Sequence, residues 1–312
     1  MRFPFNIRRD REYDVVGFGT NAVDFLIEVP EYPAFNSKVE LSDYTQAAGG
    51  EIATTMVGLQ RLGLKTVYVG SFGDDPAGSF GLRSLSDEGV NIEHARIVCG
   101  AQTQIAFIVI DSRNGERTVI WKRDKDLAFS ASDAPTDLAR RAAVLHLTPH
   151  DTEAALAMAR AARSVGTIVS IDVDKGFPGI EDLLPLVDVF IASSEFPLRL
   201  LGIDDHRVAL SEMARKFGCK ICGVTLGEEG SLIYANEGFI SSTGYEVPGG
   251  CRDTTGAGDA FRVGLIYGLL KDASVEDAAR YANAVAALKC RAVGARTALP
   301  GSNELEEFLI AP

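Results

Sequence analysis

The chain has 312 residues, of which 46% are apolar, and it carries a formal net charge of −12. A nucleic-acid-binding surface is normally basic, and no stretch approaches the roughly 18 uncharged apolar residues of a membrane span, so both classes are disfavoured. The first residues lack the apolar segment of a secretory signal, and the five cysteines are odd in number, so we expect reduced thiols and a cytoplasmic protein.

Short β-branched runs alternate along the chain with longer amphipathic stretches, an order typical of parallel β–α–β units. The pattern predicts strands over 13–19, 66–70, 143–147, 167–172, 187–192 and 219–226. It predicts helices over 48–62, 79–88, 152–164, 205–217, 259–270 and 275–290, the last two closing the chain. We therefore predict an α/β fold in one domain over residues 1–312, with a Rossmann-like, mostly parallel sheet flanked by helices.

Two segments interrupt this alternation. Residues 25–44 contain Pro30 and Pro33 and have no helical period, while 105–110 and 117–121 predict a β-hairpin with Asn-Gly in its turn. We interpret the two segments as a small β-sheet outside the main layers, inserted at about 28–47 and 100–127. We expect this sheet to form a lid over a cleft.

The segment 253–261, DTTGAGDAF, has the most chemical information. Its glycines let the backbone turn tightly, and the helix that follows makes the N–H groups of Gly256, Ala257 and Gly258 a binding site for an anion. A carboxylate beside such a site repels phosphate, so Asp259 fits better as a general base that takes a proton from an attacking hydroxyl. By pattern alone, a plain glycine-rich turn is equally compatible.

A second glycine-punctuated turn, containing Thr225, Gly227 and Gly230, directly follows a predicted strand. In an open α/β sheet, ligands bind at the carboxyl ends of the strands, so Thr225 and Gly227 are placed to meet a nucleotide phosphate. An ordinary connecting turn explains the same residues.

In order and spacing, these motifs resemble those of the ribokinase-like (PfkB-type) carbohydrate kinases. The matching segments of the carboxyl-terminal half are TLGEEG at 225–230, DTTGAGDAF at 253–261 and YANA at 281–284. The amino-terminal half matches in the opening strand 16–24, in Gly49-Gly50 and at 69–78. Segments 117–121 and 286–290 have a weaker likeness to the ketohexokinase branch.

The resemblance implies an ATP-dependent sugar kinase that transfers the γ-phosphoryl group of ATP to a sugar hydroxyl, with a CH₂OH group as the expected acceptor. It further implies Mg²⁺ as a cofactor, K⁺ as a candidate activator, and a homodimer formed through the lids. The implied site residues are Asp259, Gly256, Ala257 and Gly258 at the reaction centre; Thr225, Gly227, Gly230 and Asn283 at ATP; and Asp24, Gly49, Gly50 and Thr54 at the sugar.

The chain departs from the family pattern at two places. Thr54 stands where the family often has a sugar-binding Asn, and 192–196 lacks the Asn of the family's metal-ordering Asn-x-x-Glu motif. Glu195 is then the candidate metal residue, and Asp253 and Thr255 form the candidate loop for a monovalent cation. A nucleoside kinase on the same fold and a non-catalytic sugar or nucleotide sensor are the alternative functions.

Charged and aromatic residues cluster close to the predicted lid, at Trp121, Lys122, Arg123 and Lys125. We favour a solvated edge strand protected by charge over a direct contact of one of these residues with substrate or phosphate.

Overall fold

The structure is a computed structural model and describes residues 1–310. Its strands are β1 (Tyr13–Phe18), β2 (Ala22–Val29), β3 (Asp43–Gly49), β4 (Thr66–Val69), β5 (Ser71–Gly73), β6 (Arg96–Val98), β7 (Ile105–Asp111), β8 (Arg117–Lys122), β9 (Ala142–Leu147), β10 (Ile168–Val173), β11 (Val189–Ser193), β12 (Ile221–Thr225), β13 (Ser231–Ala235) and β14 (Gly238–Ser242). Its helices are α1 (Glu51–Arg61), α2 (Pro76–Asp87), α3 (Thr136–Arg140), α4 (Thr152–Arg163), α5 (Ile180–Leu183), α6 (Phe196–Leu201), α7 (His206–Phe217), α8 (Ala257–Leu270), α9 (Val275–Lys289) and α10 (Ser302–Ile310).

The main sheet has eight strands in the order β14-β13-β12-β11-β10-β9-β1-β4. The strands from β12 to β4 are parallel, and β13 and β14 are added antiparallel at one edge. The strand order reverses at β1, which pairs with β4 on one side and with β9 on the other. Such a reversal opens a crevice at the carboxyl ends of the strands, which is where ligands bind in sheets of this type.

Helices cover both faces of the main sheet. Neighbouring strand residues point to opposite sides, so each strand packs apolar side chains against both layers of helices. Val15 of β1 packs into a core formed with α1, α8 and α9, whereas Val16 packs into a second core formed with α4 and α7. Both valines are fully buried. The predicted α/β class, a mostly parallel sheet flanked by helices, is confirmed.

The smaller sheet has four strands in the order β3-β2-β7-β8 and stands apart from the main one. Leu26, Ala106, Ile108 and Ile110 form its own small core. The sheet includes β2, which starts at Ala22 and so precedes the predicted insertion at about residue 28. The segment between β2 and β3 has no helix or strand.

Two helix predictions at the end of the chain need correction. Helix α8 begins at Ala257, two residues before the predicted start, because Gly256 adopts a left-handed φ of 76° and turns the loop directly into the helix. Helix α9 does not close the chain, since α10 follows it. Leu305 of α10 is buried in the main core, so packing stabilises a helix too short for a clear periodic signal. Within residues 1–310, no helix has the length and apolar character needed to cross a bilayer.

Candidate active site

A cleft of about 1530 Å³ lies between the carboxyl edge of the main sheet and the small sheet. The main sheet contributes residues at or just after the ends of β1, β10, β11 and β12. The small sheet contributes one face of β7 and β8, since paired residues on the two strands point to the same side of the sheet. Lining residues from the two sheets are Thr20, Asp172, Ser193 and Thr225 on one side and Asp24, Ala106, Ile108, Arg117, Val119 and Trp121 on the other.

The amino terminus of α8 forms part of the cleft wall, with Gly256, Ala257, Gly258 and Asp259 all exposed to it. A Cβ atom on Gly256 would lie 2.8 Å from the Cβ of Ala295, so a side chain does not fit there without a shift. The first N–H groups of a helix have no partners within it. Ala257 N–H, however, already donates to Thr254 O at 3.1 Å. Of the three predicted donors, the Ala257 N–H is therefore already engaged within the loop.

Glu51, Asp172 and Asp259 line the cleft beside this helix end, and the charges of their carboxyl groups influence one another. Burial raises the pKa of Asp259 to about 7; the charge of Glu51 raises it further and that of Arg262 lowers it. Burial also raises the pKa of Asp172 to about 8, against the opposing charge of Arg262. Burial, with the charges of Asp172 and Asp174, raises the pKa of Glu51 to about 8. A carboxyl with a pKa close to neutral is well matched to general acid–base chemistry.

Asp24 of β2 lines the cleft on the small-sheet side and is only 4% exposed. Burial raises its pKa to about 6, with the charge of Arg296 acting against this shift. A Cβ on Gly49 would lie 1.9 Å from Asp24 Oδ2, so glycine is required for the carboxylate to keep its place. Gly50 lines the cleft, whereas Gly49 shapes it through Asp24.

Thr54, predicted at the sugar, lies behind the cleft wall. It is fully buried on α1, and its hydroxyl accepts a hydrogen bond from Arg296 Nε at 3.4 Å. Arg296 also donates to Gly49 O and, at 3.1 Å, to Ser84 Oγ. Thr54 therefore supports Gly49-Gly50 from behind, through Arg296. It does not reach the cleft because it lies on the buried face of α1.

At the other end of the cleft, the structure brings together Thr225, Gly227 and Asn283. Asn283 Nδ2 donates to Ser242 Oγ at 2.9 Å and to Ser242 O at 3.0 Å, so its amide also connects α9 to the end of β14. Gly230 is buried outside the cleft wall, where a Cβ would come within 2.1 Å of Ser242 O. Gly230 thus shapes the turn without forming the surface that a nucleotide would meet.

Glu195 lies away from the cleft. Its side chain is exposed and forms an ion pair with Arg199 one turn further along the chain. Within the part of the chain that the structure describes, no three His, Cys, Asp or Glu side chains are grouped to hold a metal ion. Mg²⁺ is commonly held by substrate phosphates with one or two protein carboxylates, and Asp172 and Asp174 in the cleft wall suit that arrangement.

The predicted monovalent-cation loop already contains a positive charge. Asp253 is fully buried and stands outside the cleft wall, while Thr255 lines it. Lys289 Nζ lies 2.7 Å from Asp253 O and 3.7 Å from Asp253 Oδ2. A free monovalent cation would need the same oxygens, so the residues present do not fit one.

Sequence reasoning missed Glu51, Asp172 and Arg262 as cleft residues. Each has a usable signal: Glu51 directly follows the Gly-Gly pair, Asp172 ends a buried parallel strand, and Arg262 lies one helical turn after Asp259.

Strand β8 is exposed along its whole length, as expected of an edge strand. Trp121 nevertheless lines the cleft, with its ring centroid 6.3 Å from that of His150 and 4.5 Å from Lys175 Nζ. The cluster near the lid therefore includes an aromatic surface that faces the cleft.

The known proteins that this chain resembles include several kinases. A sequence model described as pfkB family carbohydrate kinase matches residues 14–301. The ATP-dependent ribose-1-phosphate kinase of Halopiger xanaduensis is 31% identical over 288 residues, which cover 92% of this chain and 94% of that protein. Fructokinase-2 of Oryza sativa is 31% identical over 321 residues (95% and 93%). The nucleoside kinase of Methanothermobacter thermautotrophicus is 27% identical over 300 residues (93% and 94%).

Solved structures show the same fold. A putative ribokinase from Agrobacterium tumefaciens superposes with a TM-score of 0.87 at 25% identity, over 95% of this chain and 96% of that one. Arabidopsis thaliana ribokinase, solved with ribose and ATP, superposes with a TM-score of 0.83 at 24% identity, over 96% and 99% of the two chains. Because the family match extends over nearly the whole chain, this protein belongs to the pfkB family of carbohydrate kinases and is an ATP-dependent phosphotransferase that acts on an alcohol group.

Proposed function

We propose that Asp259 is the general base for transfer of the γ-phosphoryl group of ATP to a CH₂OH group of a sugar bound at Asp24. The observation that supports this most directly is the position of Asp259. It is the third residue of α8, it opens into the cleft, and its pKa is raised to about 7. A carboxylate with a pKa near 7 is partly unprotonated at neutral pH and binds a proton strongly enough to take one from a hydroxyl.

The other cleft residues bind the phosphates and the sugar. The N–H groups at the start of α8 hold the oxygens of the transferred phosphoryl group, since a helix amino terminus favours negative charge. Thr225 and Gly227 bind the nucleotide phosphates, and Asp24 accepts hydrogen bonds from sugar hydroxyls. Mg²⁺ bound with ATP would neutralise phosphate charge, with Asp172 and Asp174 as the protein carboxylates that hold it. The small sheet acts as a lid that excludes water from the reaction.

A nucleoside is the second candidate acceptor. The specific observation in its favour is the aromatic surface of Trp121 and His150 on the wall of the cleft, which offers a flat partner for a base. The relative named nucleoside kinase is in keeping with this alternative.

A panel of acceptors with a coupled ADP readout tests the proposal. The panel contains pentoses, hexoses, ribose 1-phosphate, adenosine and inosine, each with ATP and Mg²⁺. We expect acceptor-dependent ADP release with at least one sugar, and release at least about 100-fold slower with the Asp259→Asn protein. Turnover restricted to nucleosides would favour the second candidate. Absence of turnover with every acceptor would favour the non-catalytic sensor.

We also propose that two copies associate through the outer faces of their small sheets. Phe25 stacks on Phe107 at 5.1 Å and on Tyr44 at 6.2 Å, and Tyr44, Phe107 and Ile120 are 51%, 42% and 59% exposed. A contiguous aromatic face of this kind is typical of an interaction surface. Light scattering after gel filtration should give the mass of a dimer, and Phe107→Glu should give that of a monomer. A monomeric wild-type protein would contradict this assembly.

A cytoplasmic location is the last part of the proposal. All five thiols are free; Cys219 is buried just before β12 and Cys222 is buried within it. Reduced cysteines are usual in cytoplasmic proteins. Cell fractionation with an antibody to the protein provides the test.

A further inference from the structure

Lys289, the last residue of α9, is a fully buried cation next to the active-site loop. Both its side chain and that of Asp253 are 0% exposed. Its Nζ donates to Asp253 O at 2.7 Å and lies 3.7 Å from Asp253 Oδ2. Burial lowers the pKa of Lys289, and the charge of Asp253 opposes that shift. Lysine is almost never fully buried without a partner, so a specific pairing accounts for its position.

The same aspartate holds the loop that leads into α8. Thr255 N–H donates to Asp253 Oδ1 at 2.8 Å, and Gly294 N–H donates to Asp253 Oδ2 at 2.8 Å. On the other side of Gly294, Ala295 packs against Gly256, the N-cap of α8. The charge pair thus connects the end of α9, the 294–295 turn and the loop that positions the anion-binding N–H groups.

We propose that the Lys289 ammonium takes the place of a bound monovalent cation in this loop, so that the enzyme works without K⁺. A small monovalent cation would be held here by one carbonyl oxygen and one carboxylate oxygen of Asp253. The ammonium group is a compact single positive charge with three donors; it already donates to the carbonyl oxygen and forms an ion pair with the carboxylate. Lys289 is accordingly a positioning residue, since it acts on phosphoryl transfer through the loop. This inference rests on the proposed role of α8 in phosphate binding.

The first experiment compares the wild-type protein in KCl, NaCl and choline chloride at the same ionic strength. We expect kcat to vary by less than about 2-fold among the three salts, because the loop carries its own cation. A rise of about 5-fold or more in KCl over choline chloride would overturn the proposal.

The second experiment makes the loop dependent on an added ion. Lys289→Ala removes the ammonium and leaves the two oxygens of Asp253 facing the vacated space. In choline chloride we expect kcat of this variant to be lower than that of the wild type by about 10-fold or more. Addition of about 100 mM KCl or NH₄Cl should raise kcat of the variant by about 5-fold or more. Lys216→Ala is the matched control, because Lys216 is a surface lysine paired with exposed Glu181. It should show no such salt response.

Thermal unfolding separates this inference from the proposed activity. The melting temperature of Lys289→Ala should rise in KCl relative to choline chloride, while those of the wild-type protein and Lys216→Ala should not differ between the salts. Should Lys289→Ala not fold, the neutral pair Asp253→Asn with Lys289→Met should fold and show reduced kcat without K⁺ rescue. Full activity of Lys289→Ala in choline chloride, or of that double variant, would overturn the inference. An enzyme inactive on every acceptor would instead count against the proposed function and leave the melting test intact.

Discussion

Arg262 Nη2 lies 2.6 Å from Asp172 Oδ1, one helical turn beyond Asp259. The same nitrogen donates to Ile191 O at 2.8 Å, so the guanidinium is held at the carboxyl ends of β10 and β11. Its charge lowers the pKa values of both Asp172 and Asp259 against the effect of burial. Arg262 therefore holds the pKa of the proposed base near neutral pH. Without its charge, the buried carboxyl groups would retain their protons to higher pH.

Asp259→Asn should lower kcat by about 10²–10⁴-fold and change KM for ATP by less than about 2-fold, because loss of a general base acts on the chemical step. Steady-state kinetics with the best acceptor of the panel give both values. Glu195→Gln is the matched control, since that carboxylate is exposed and outside the cleft. Unreduced kcat in Asp259→Asn would exclude the assigned role.

The pH profile of kcat/KM should fall on the acid side through about pH 7, because Asp259 must be unprotonated to accept a proton. Arg262→Met removes the opposing positive charge and should move this limb to higher pH. The limb reports the coupled carboxyl group as a whole. A limb that stays in place in Arg262→Met would mean that another group controls it.

Glu51 should also affect stability in a pH-dependent way. Its pKa is about 8 in the folded protein against an ordinary 4.5, so the folded state binds this proton more tightly than the unfolded state. The resulting stabilisation is complete below about pH 4.5 and is lost as the pH rises to about 8. Glu51→Gln, which stays neutral, should therefore raise the melting temperature relative to the wild type more at pH 9 than at pH 5. Equal differences at the two pH values would contradict the assigned pKa.

Gly258→Val should raise KM for ATP and lower kcat together. A Cβ at this position would lie 2.9 Å from Arg262 Nη1 and would obstruct close approach of a phosphate to the start of α8. Gly301→Val is the control, because a Cβ there meets its nearest neighbour at an ordinary 3.8 Å. Nucleotide affinity, measured by calorimetry, should fall only for the first variant. Unchanged affinity would place the phosphates elsewhere.

Asp24→Ala should raise KM for the acceptor by about 10-fold or more while KM for ATP changes less than about 2-fold, since only the acceptor would lose hydrogen bonds. Melting curves show whether the variant is folded, a necessary control because Asp24 is buried against Gly49. Equal increases in both KM values would indicate a general defect of the site.

Local pattern was sufficient to predict the alternation of strands and helices and the separate small sheet, and it singled out Asp259 as a candidate base, since each depends on residues close together in the chain. Strand periodicity and a glycine turn before a helix are properties of a few consecutive residues. The same local signal misplaced the start of α8, which depends on the left-handed conformation of Gly256 against Ala295.

Contacts between distant segments decided the rest. Tertiary packing brought Glu51 to Asp172 and Asp259, and it made Lys289 the partner of Asp253, 36 residues away. It also directed Thr54 into the interior and Glu195 to the surface. Side-chain burial and long-range charge pairing are set by how helices and strands pack, and a single chain's local pattern does not contain that information.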